Sequence, residues 1–380
     1  MIPATKLWNT LKWVPSYLWQ RGTRRGPSGK PVHVLIAVAD HFEPSILPGQ
    51  SGKFAPLDEQ ERRLESWCRE YPRAMAAFPD HEGYNFRHTY FSPAEQYDRG
   101  LLDRLAEHCR AGWGEVEVHL HHGIKQPDTG ESAKLVIERF RDALVQHGCL
   151  SRWEGAGPAR FAFVHGNWAL ANSARGRFCG VDDELQILAN AGCYADFTLP
   201  SAPSPAQIRK INSMYECSLP LERRAAHRRG RDLRVGHAPR IFPLIVQGAL
   251  MLNIGVRNSR LIPMGIENSE ISGGHPPTLK RFRVWWDASI QVAGRPDWLF
   301  MKLHCHGMDP RDESAMFGAG VQKFLRELIE MEKDGGKFRL HFVTAREMVN
   351  IILAACDGQE GNPGDFRNYR FQMITPTRSG

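Results

Sequence analysis

The sequence has no apolar stretch long enough to span a bilayer, although 42% of its 380 residues are hydrophobic. Its first 30 residues also lack the continuous apolar core and the small-residue cleavage site of a secretory signal. No nucleic-acid-binding motif, zinc finger or aromatic platform occurs in it. We therefore expect a cytoplasmic protein that does not bind nucleic acid.

Closely paired cysteines are missing as well. None of the eight cysteines forms a Cys-x-x-Cys pair, which excludes zinc ribbons and redox motifs of that spacing. Scattered cysteines in a chain without a secretory signal are typical of small buried side chains in a reducing compartment. They are Cys68, Cys109, Cys149, Cys179, Cys193, Cys217, Cys305 and Cys356.

The charge balance is basic but not extreme. The chain has 49 Lys and Arg against 42 Asp and Glu, a formal net charge of +7. Much of the excess lies in two runs, 21–25 and 222–234. Such runs are usually solvated faces or loops, and contact with an anionic polymer or a membrane surface is the alternative interpretation. The composition is that of a globular protein, long enough for one barrel-sized domain.

Residues 1–30 combine aromatic and basic side chains into an amphipathic arm. This arm could lie on a membrane as an interfacial helix, although Pro15 weakens a helix through it. We expect it to pack on the domain, and peripheral contact with the inner face of the membrane is the alternative. The domain itself is predicted over 31–356, followed by a loose tail over 357–380. The apolar residues of the arm are Trp8, Leu11, Trp13, Val14, Tyr17, Leu18 and Trp19.

A strand that runs into a group of histidines is the most informative feature present. In the segment 115–122, Glu-Val-Glu-Val-His-Leu-His-His, alternation places His119 and His121 on the same face. Two such histidines can ligate one divalent metal at the end of a sheet, with Gly123 letting the chain turn away. His122 is an alternative to His121 as a ligand. A polar strand edge rich in histidine is the structural alternative.

Three further apolar strands also lead into a histidine. They are followed by Asp40-His41 before Pro44, by His165-Gly-Asn-Trp, and by His304-Cys-His306-Gly. The active sites of α/β barrels and open α/β sheets lie at the carboxyl ends of the strands. The repetition of the pattern in four strands therefore predicts a site there.

Strands alternate with helical patterns along most of the chain. Repeated βα units imply a mainly parallel sheet, closed or nearly closed, and hence a distorted (β/α) barrel with the metal site at the carboxyl ends of its strands. The Pro-, Arg- and Ser-rich segment 201–240 is predicted to leave the core and to cover the site. Helices are predicted over 58–78, 93–111, 132–147, 182–190, 277–292, 313–333 and 344–355, and strands over 160–164, 194–197, 298–304 and 338–342.

The order of these motifs resembles that of the polysaccharide deacetylase (NodB-type) superfamily, over most of the chain from Val32 to Ala355. The resemblance implies a deacetylase barrel in which Asp40 is the base and His41 stands at the position of the metal-binding Asp. His119 matches the first histidine of the second motif, whereas Gly123 occupies the place of the second, so that His121 or His122 would substitute. The late strand offers His304 or His306 as the general acid. The third, arginine-bearing motif of the family is not recognisable.

A divalent metal, with zinc preferred, on His41, His119 and His121 would bind water and the acyl carbonyl of an acylated sugar or polysaccharide precursor. Asp40 would remove the proton from water and a late histidine would protonate the leaving group, although Asp40 could instead be a ligand. The predicted function is therefore the removal of an acyl, preferably acetyl, group. The candidates for substrate binding are His165, Asn167, Trp168, Asp196 and Glu267.

Two functions of other classes stay open. A glycoside hydrolase on the same barrel would need a pair of carboxylates, which Asp40, Asp196 and Glu267 could supply. A catalytically weak protein that binds polysaccharide or assists its assembly could keep the fold without the chemistry. Packing is the alternative role of Trp168, and loop capping that of Glu267.

Overall fold

A curled, mostly parallel sheet forms the centre of the molecule. The computed structural model describes residues 9, 11–28, 31–50, 53–254 and 264–375. Within these residues the strands are β1 (Val32–His41), β2 (His88–Pro93), β3 (Gly114–Leu120), β4 (Ser151–Trp153), β5 (Ala156–His165), β6 (Cys193–Asp196), β7 (Met214–Cys217), β8 (Gly230–Asp232), β9 (Leu244–Val246), β10 (Met251–Ile254), β11 (Met264–Glu267), β12 (Glu270–Ile271), β13 (Trp298–Cys305), β14 (Phe338–Phe342) and β15 (Phe371–Met373).

Amphipathic helices cover the sheet, and their buried faces carry residues such as Leu64, Trp67 and Tyr71. The helices are α1 (Val14–Thr23), α2 (Leu57–Met75), α3 (Arg99–His108), α4 (Gly130–Gln146), α5 (Glu184–Ala191), α6 (Leu279–Asp287), α7 (Glu313–Phe317), α8 (Ala319–Gly335) and α9 (Ala345–Cys356). The last of these is buried along its whole length and packs against β1, β5 and β15.

The main path of the sheet runs β12-β13-β1-β2-β3-β5-β6-β9, with every neighbouring pair parallel. β14 adds to the amino-terminal half of β1, and the β7-β8 pair extends the far edge in antiparallel fashion. Among the described residues no strand pairing joins β9 to β12. The sheet is therefore a half-barrel, consistent with the distorted barrel expected from the sequence.

The strands that end in histidine lie next to one another. Asp40 on β1 is in register with Cys305 on β13, Pro93 on β2 with His119 on β3, and Leu120 with His165 on β5. Parallel strands in this register bring their carboxyl ends to one edge of the barrel. We call this edge the mouth.

Charged side chains fill the opposite end of the barrel interior. The Arg346 guanidinium on α9 donates to the Glu115 carboxylate on β3 from its Nη2 at 2.6 Å, and both residues are buried. Nearby, Glu347 accepts from Arg87 at 2.6 Å and from Arg367 at 3.2 Å. Each buried charge thus has an opposite charge as a partner, which such burial requires.

Three of the predicted helices differ from the observed ones, and the one predicted over 277–292 ends at Asp287. Ser92 and Pro93 belong to β2, and helix α3 begins at Arg99 because the Asp98 carboxylate accepts from the Leu101 N–H at 3.0 Å. In the sequence, Ser92 followed three residues later by Glu95 has the spacing of a capping box, but Glu95 lies 2.7 Å from Nδ1 of His121 instead. The helix predicted over 313–333 is divided into α7 and α8 at Gly318, whose φ is −74° and ψ is 180°.

The two ends of the chain pack on the barrel as far as they are described. Trp13 is fully buried, and Gln20 in α1 donates to the Ile211 carbonyl at 2.8 Å, so that this part of the arm lies on the domain. Leu18 and Trp19 remain exposed, and Trp8 lies outside the described residues. The prediction of a loose tail is wrong for 357–375, because β15 pairs with β4 and Phe371 is buried.

Replacing Glu115 with glutamine is expected to lower the free energy of unfolding by about 3–5 kcal/mol, because it leaves the Arg346 guanidinium buried without its closest carboxylate. Urea unfolding followed by circular dichroism measures the change. The matched control is Asp58→Asn, which breaks an exposed ion pair with Arg62 and should cost about 0–1 kcal/mol. Equal losses in the two variants would contradict the role given to this buried pair.

Candidate metal centre and cleft

Two imidazoles and one carboxylate meet at the mouth of the barrel. The Nε2 atoms of His119 and His121 lie 3.2 and 3.0 Å from Oε1 of Glu43. The possible donor atoms of these three residues all lie within 4.8 Å of one another. The predicted pair, His119 and His121, is therefore brought together, and His121 rather than His122 is its second member.

Neighbouring groups fix the orientation of both rings. Nδ1 of His119 lies 2.9 Å from the Val164 carbonyl, and Nδ1 of His121 lies 2.7 Å from Oε1 of Glu95. An acceptor at Nδ1 holds a proton there, so that Nε2 is the nitrogen that each ring presents to Glu43. Metal-binding histidines are commonly held in this way, so the arrangement fits a divalent metal.

His41, at the end of β1, lies next to this group. Its ring centroid is 4.8 Å from that of His119 and 4.8 Å from that of His306. Both of its ring nitrogens are buried and have no hydrogen-bond partner. Burial, with the neighbouring histidines, lowers the pKa of His41 well below its usual value. His41 is thus neutral, and its unpartnered ring nitrogens are suited to donating a lone pair to a metal at this place.

The electrostatics of the mouth favour a cation beside Glu43. Burial alone would lower the pKa of His121, but the carboxylates of Glu43 and Glu95 outweigh it and raise that pKa to about 10. The pKa of Glu43 is lowered despite its burial, because His119 and His121 donate to it. Protons and metals compete for the same lone pairs, so a metal can occupy this position.

His304 and His306 stand on the other side of His41. His304 is 4% exposed and its Nδ1 is buried without a partner, whereas His306 is partly exposed. Burial and the nearby Lys302 lower the pKa of His304 well below its usual value. Of the two candidates for the acid, His306 is therefore the one that faces solvent.

Asp40 does not join this group. Consecutive residues of a strand point to opposite faces, and the Asp40 carboxylate lies behind the sheet. Its Oδ2 is 2.8 Å from Nδ1 of His88, and its Oδ1 accepts from the Gly307 N–H at 2.7 Å. The His88 ring in turn packs against Trp67 and Tyr71 of α2. Asp40 thus holds the turn that follows His306.

Two more of the predicted carboxylates are engaged in structural contacts. Asp196 is fully buried and accepts from the N–H and hydroxyl of Thr198 at 3.1 and 2.7 Å. Glu267 binds Arg281 in a bidentate pair at 2.7 and 2.8 Å and also accepts from Trp285. Neither side chain faces the mouth with a free oxygen, so the prediction that they bind substrate is not supported by their contacts.

A cleft of about 900 Å³ opens beside the mouth and reaches His304 and His306. Trp168 lines it, as do Arg177 and Asn268, and the segment 200–205 forms one wall. Residues 200–205 therefore border the cleft, but the prediction that 201–240 leaves the core is wrong, because Met214–Cys217 forms β7 of the main sheet and Tyr215 is fully buried. Asn167 is partly buried with its amide nitrogen unpartnered, and His165 points away from the cleft toward His122.

Gly123, where the deacetylase motif has a histidine, is required by the backbone. Its φ is +63°, and a Cβ atom there would lie 2.0 Å from the carbonyl oxygen of Cys179. The Phe178 N–H donates to the Gly123 carbonyl at 3.0 Å, which binds the two loops together. A side chain at this position would force these loops apart, so the departure from the motif follows from the path of the chain.

Sequence reasoning missed several residues of the site. Glu43 follows His41 at a spacing of two, which places both on one side of an extended chain, and this signal could have identified it. Glu95 had no such signal, because its position suggested a helix cap. Arg177 had none either, since it lies in an irregular loop.

No helix in the described part of the chain combines the length and the hydrophobicity that a membrane span requires.

Replacing Gly123 with alanine is expected to destabilise the protein by more than the roughly 1–2 kcal/mol that a left-handed residue costs by itself, because the new methyl group meets the Cys179 carbonyl. Gly83→Ala is the control, since its φ is +88° and no atom lies within 4 Å of the place that its methyl group would take. Thermal unfolding compares the two variants. Equal destabilisation would show that the loops adjust without cost.

No protein-family model and no curated protein matches the chain. Among solved structures, the chain is similar to a "putative polysaccharide deacetylase" from Mycobacterium smegmatis, at 14% sequence identity and a TM-score of 0.43. The match covers 88% of this chain and 94% of the other. A similarity of this size does not assign a function.

Proposed function

We propose that the protein is a metal-dependent hydrolase that removes an acyl group, preferably acetyl, from a sugar of a polysaccharide or its precursor. The observation that carries the proposal is the convergence of His119, His121 and Glu43 at the mouth of the barrel, with the His41 ring 4.8 Å from that of His119 and a cleft bordered by His306 beside them. A metal centre beside a proton-donating group and an open cleft is the minimum that metal-assisted hydrolysis needs.

The proposed ligands are His41, His119 and His121, which leaves Glu43 as the carboxylate next to the metal position. A divalent metal held there, preferably zinc, would act as a Lewis acid toward the acyl carbonyl and favour the ionisation of water. Three imidazole nitrogens suit zinc once His121 has lost the proton that Glu43 and Glu95 stabilise on it, and Nδ1 of His119 and Nδ1 of His121 are each held by an acceptor.

Glu43 takes the role of base that the sequence motif predicted for Asp40. Its side chain is 10% exposed and its Oε1 is directed into the group, whereas Asp40 is fully buried and bonded through both oxygens. Glu43 accepts the proton of the attacking water as the new carbon–oxygen bond forms. Asp40 is a positioning residue, because it fixes the Gly307 backbone next to His306.

His306 donates the proton that the leaving amine or hydroxyl needs when its bond to the acyl carbon breaks. It borders the cleft and is more exposed than His304. His304 lies beneath it beside Lys302 and is held neutral by burial, so it is suited to supporting the cleft floor. The products are the free carboxylic acid and the deacylated sugar.

The cleft is suited to a polar ligand with one apolar face. Trp168 offers a flat surface, while Arg177, Asn268 and Glu270 offer charges and hydrogen-bonding groups along the same cavity. These residues are proposed to hold the sugar on the leaving-group side of the acyl bond. The glycoside hydrolase alternative lacks comparable support, because Asp40, Asp196 and Glu267 are all engaged in buried hydrogen bonds.

Acetate release from acetylated sugars and oligosaccharides, with an unchanged chain length, is the activity expected of the purified protein. His119→Asn should abolish it together with about one equivalent of bound divalent metal, because this ring has no other role at the mouth. His237→Ala, at an exposed position, is the control and should change neither quantity. Wild-type protein that binds glycans but holds no metal there would replace hydrolysis with a binding or assembly function.

Glu43→Gln is expected to keep the metal and to lower kcat by about 10²–10⁴-fold, the usual contribution of a general base. Asp40→Asn should instead lower the melting temperature and leave most of the metal and a larger share of kcat. Metal analysis, acetate release and thermal unfolding on the same samples compare the two. Loss of metal from Glu43→Gln would make Glu43 a ligand, and a greater loss of kcat in Asp40→Asn would restore Asp40 as the base.

A further inference from the structure

A second group of potential ligands lies behind the mouth, on the other side of the chain that carries His121. It consists of His122, His165, Cys179 and Glu184, all buried. Nε2 of His122 is 3.1 Å from Nε2 of His165 and 2.9 Å from Oε1 of Glu184. Sγ of Cys179 is 3.6 Å from the other oxygen of Glu184. The four donor atoms lie within 4.8 Å of one another.

Neighbouring groups orient these donors toward a common point. Nδ1 of His122 is held by the Asp128 carboxylate at 2.9 Å, which leaves its Nε2 directed inward. The Val181 N–H lies 3.4 Å from Sγ of Cys179, and the Ala171 N–H donates to Glu184 at 2.6 Å. Carboxylate–histidine pairs and backbone N–H groups around the ligands are the usual outer contacts of a bound metal.

The group is difficult to explain as ordinary packing. Nε2 of His165 can donate to Nε2 of His122 at 3.1 Å, and the single lone pair of that nitrogen then also faces the Glu184 carboxylate at 2.9 Å unless His122 is protonated. A cation would satisfy all of these groups at once.

The backbone between the ligands is strained. Trp168, Ala171 and Asn172 have φ values of 58°, 46° and 54°, a region that non-glycine residues rarely adopt. Such conformations persist only where the surrounding contacts fix them. This segment joins His165 to Cys179, so a bond between its two ends would provide that constraint.

We propose that His122, His165, Cys179 and Glu184 form a second metal site, a closed structural zinc centre that binds the loop after β3 to the loop before α5. Two imidazoles, one thiolate and one carboxylate are a ligand set typical of zinc. All four are buried, which leaves no open position for substrate. The site holds His122 directly and so positions His121, its neighbour in the chain. It does not depend on the proposed function.

Metal binding implies one rearrangement that can be observed. Nδ1 of His165 accepts from the Asn167 N–H at 3.3 Å in the structure, which puts the ring proton on Nε2. With the metal bound, the proton moves to Nδ1 and this hydrogen bond is lost. The buried ion pair between His122 and Glu184, without any metal, is the competing interpretation that the experiment has to exclude.

Cobalt substitution separates the two, because thiolate ligation of Co²⁺ produces a charge-transfer absorption in the near ultraviolet that histidine and carboxylate ligands do not. Full-length protein produced in zinc-depleted medium with cobalt should show this band. Cys179→Ser should lose the band and one equivalent of metal. The matched control is Cys305→Ser, a buried cysteine beside Asp40 and His88, which should keep both.

His119→Asn distinguishes this site from the one at the mouth, since it should lose metal and retain the thiolate band. If the mouth binds no metal and only the second site exists, the wild type, His119→Asn and Cys305→Ser should each hold about one equivalent of cobalt and show the band. Cys179→Ser alone should lose both. X-ray absorption of the wild-type zinc protein tests the same point without a variant and should show one sulfur ligand. Absence of the band and of sulfur ligation from the wild type, or their persistence in Cys179→Ser, would overturn the proposal.

Discussion

The alternation of side chains along β3 is the constraint on which the rest of the site depends. Its register between β2 and β5 turns Glu115, Glu117 and His119 toward the inside of the barrel and Val116, Val118 and Leu120 toward the outer layer. The same alternation continues beyond the strand, so that His121 faces Glu43 and His122 faces Glu184. A shift of one residue would exchange the two sets and bury the wrong groups.

The polar groups inside the barrel avoid an unpaired buried charge in three different ways. At the closed end, Glu115 is charged and paired with Arg346. Two residues further along β3, burial raises the pKa of Glu117 to about 8, so that this side chain is largely protonated at neutral pH. Its carboxyl group accepts a hydrogen bond from the Tyr194 hydroxyl. At the mouth burial lowers the pKa values of His41 and His119, which favours neutral imidazoles with lone pairs. The interior thus changes from ion pair to neutral acid to potential ligands along a single strand.

The sequence predicted the parts of the molecule that depend on periodicity. The strands that end in histidine, the mainly parallel order and the pairing of His119 with His121 all follow from alternation and from the common edge of parallel strands. The strand predicted at 338–342 is confirmed at those residues. The prediction of a loose tail failed because a few buried contacts in a Gly- and Pro-rich segment, such as those of Phe371, leave no periodic signal.

Contacts between residues far apart in sequence were beyond such reasoning. Asp40 and Glu43 differ by only three positions, yet one lies behind the sheet with His88 and the other faces the mouth. Alternation predicts opposite faces for the two, but the sequence does not show that His88 meets Asp40 or that His119 and His121 meet Glu43. Glu184 and Cys179 carry no recognisable spacing either, because their partners come from β5 and from the end of β3.

Gly123 lies between the two groups of possible metal ligands, the one with His121 and the one with His122. A histidine there, as in the deacetylase motif, would place a side chain where the Cys179 carbonyl now lies. The chain has no such histidine, and the space is filled by the loop that brings Cys179 and, a few residues later, Glu184 to His122. The same close contact between loops therefore leaves no room for a side chain at position 123 and brings the second cluster together behind the mouth.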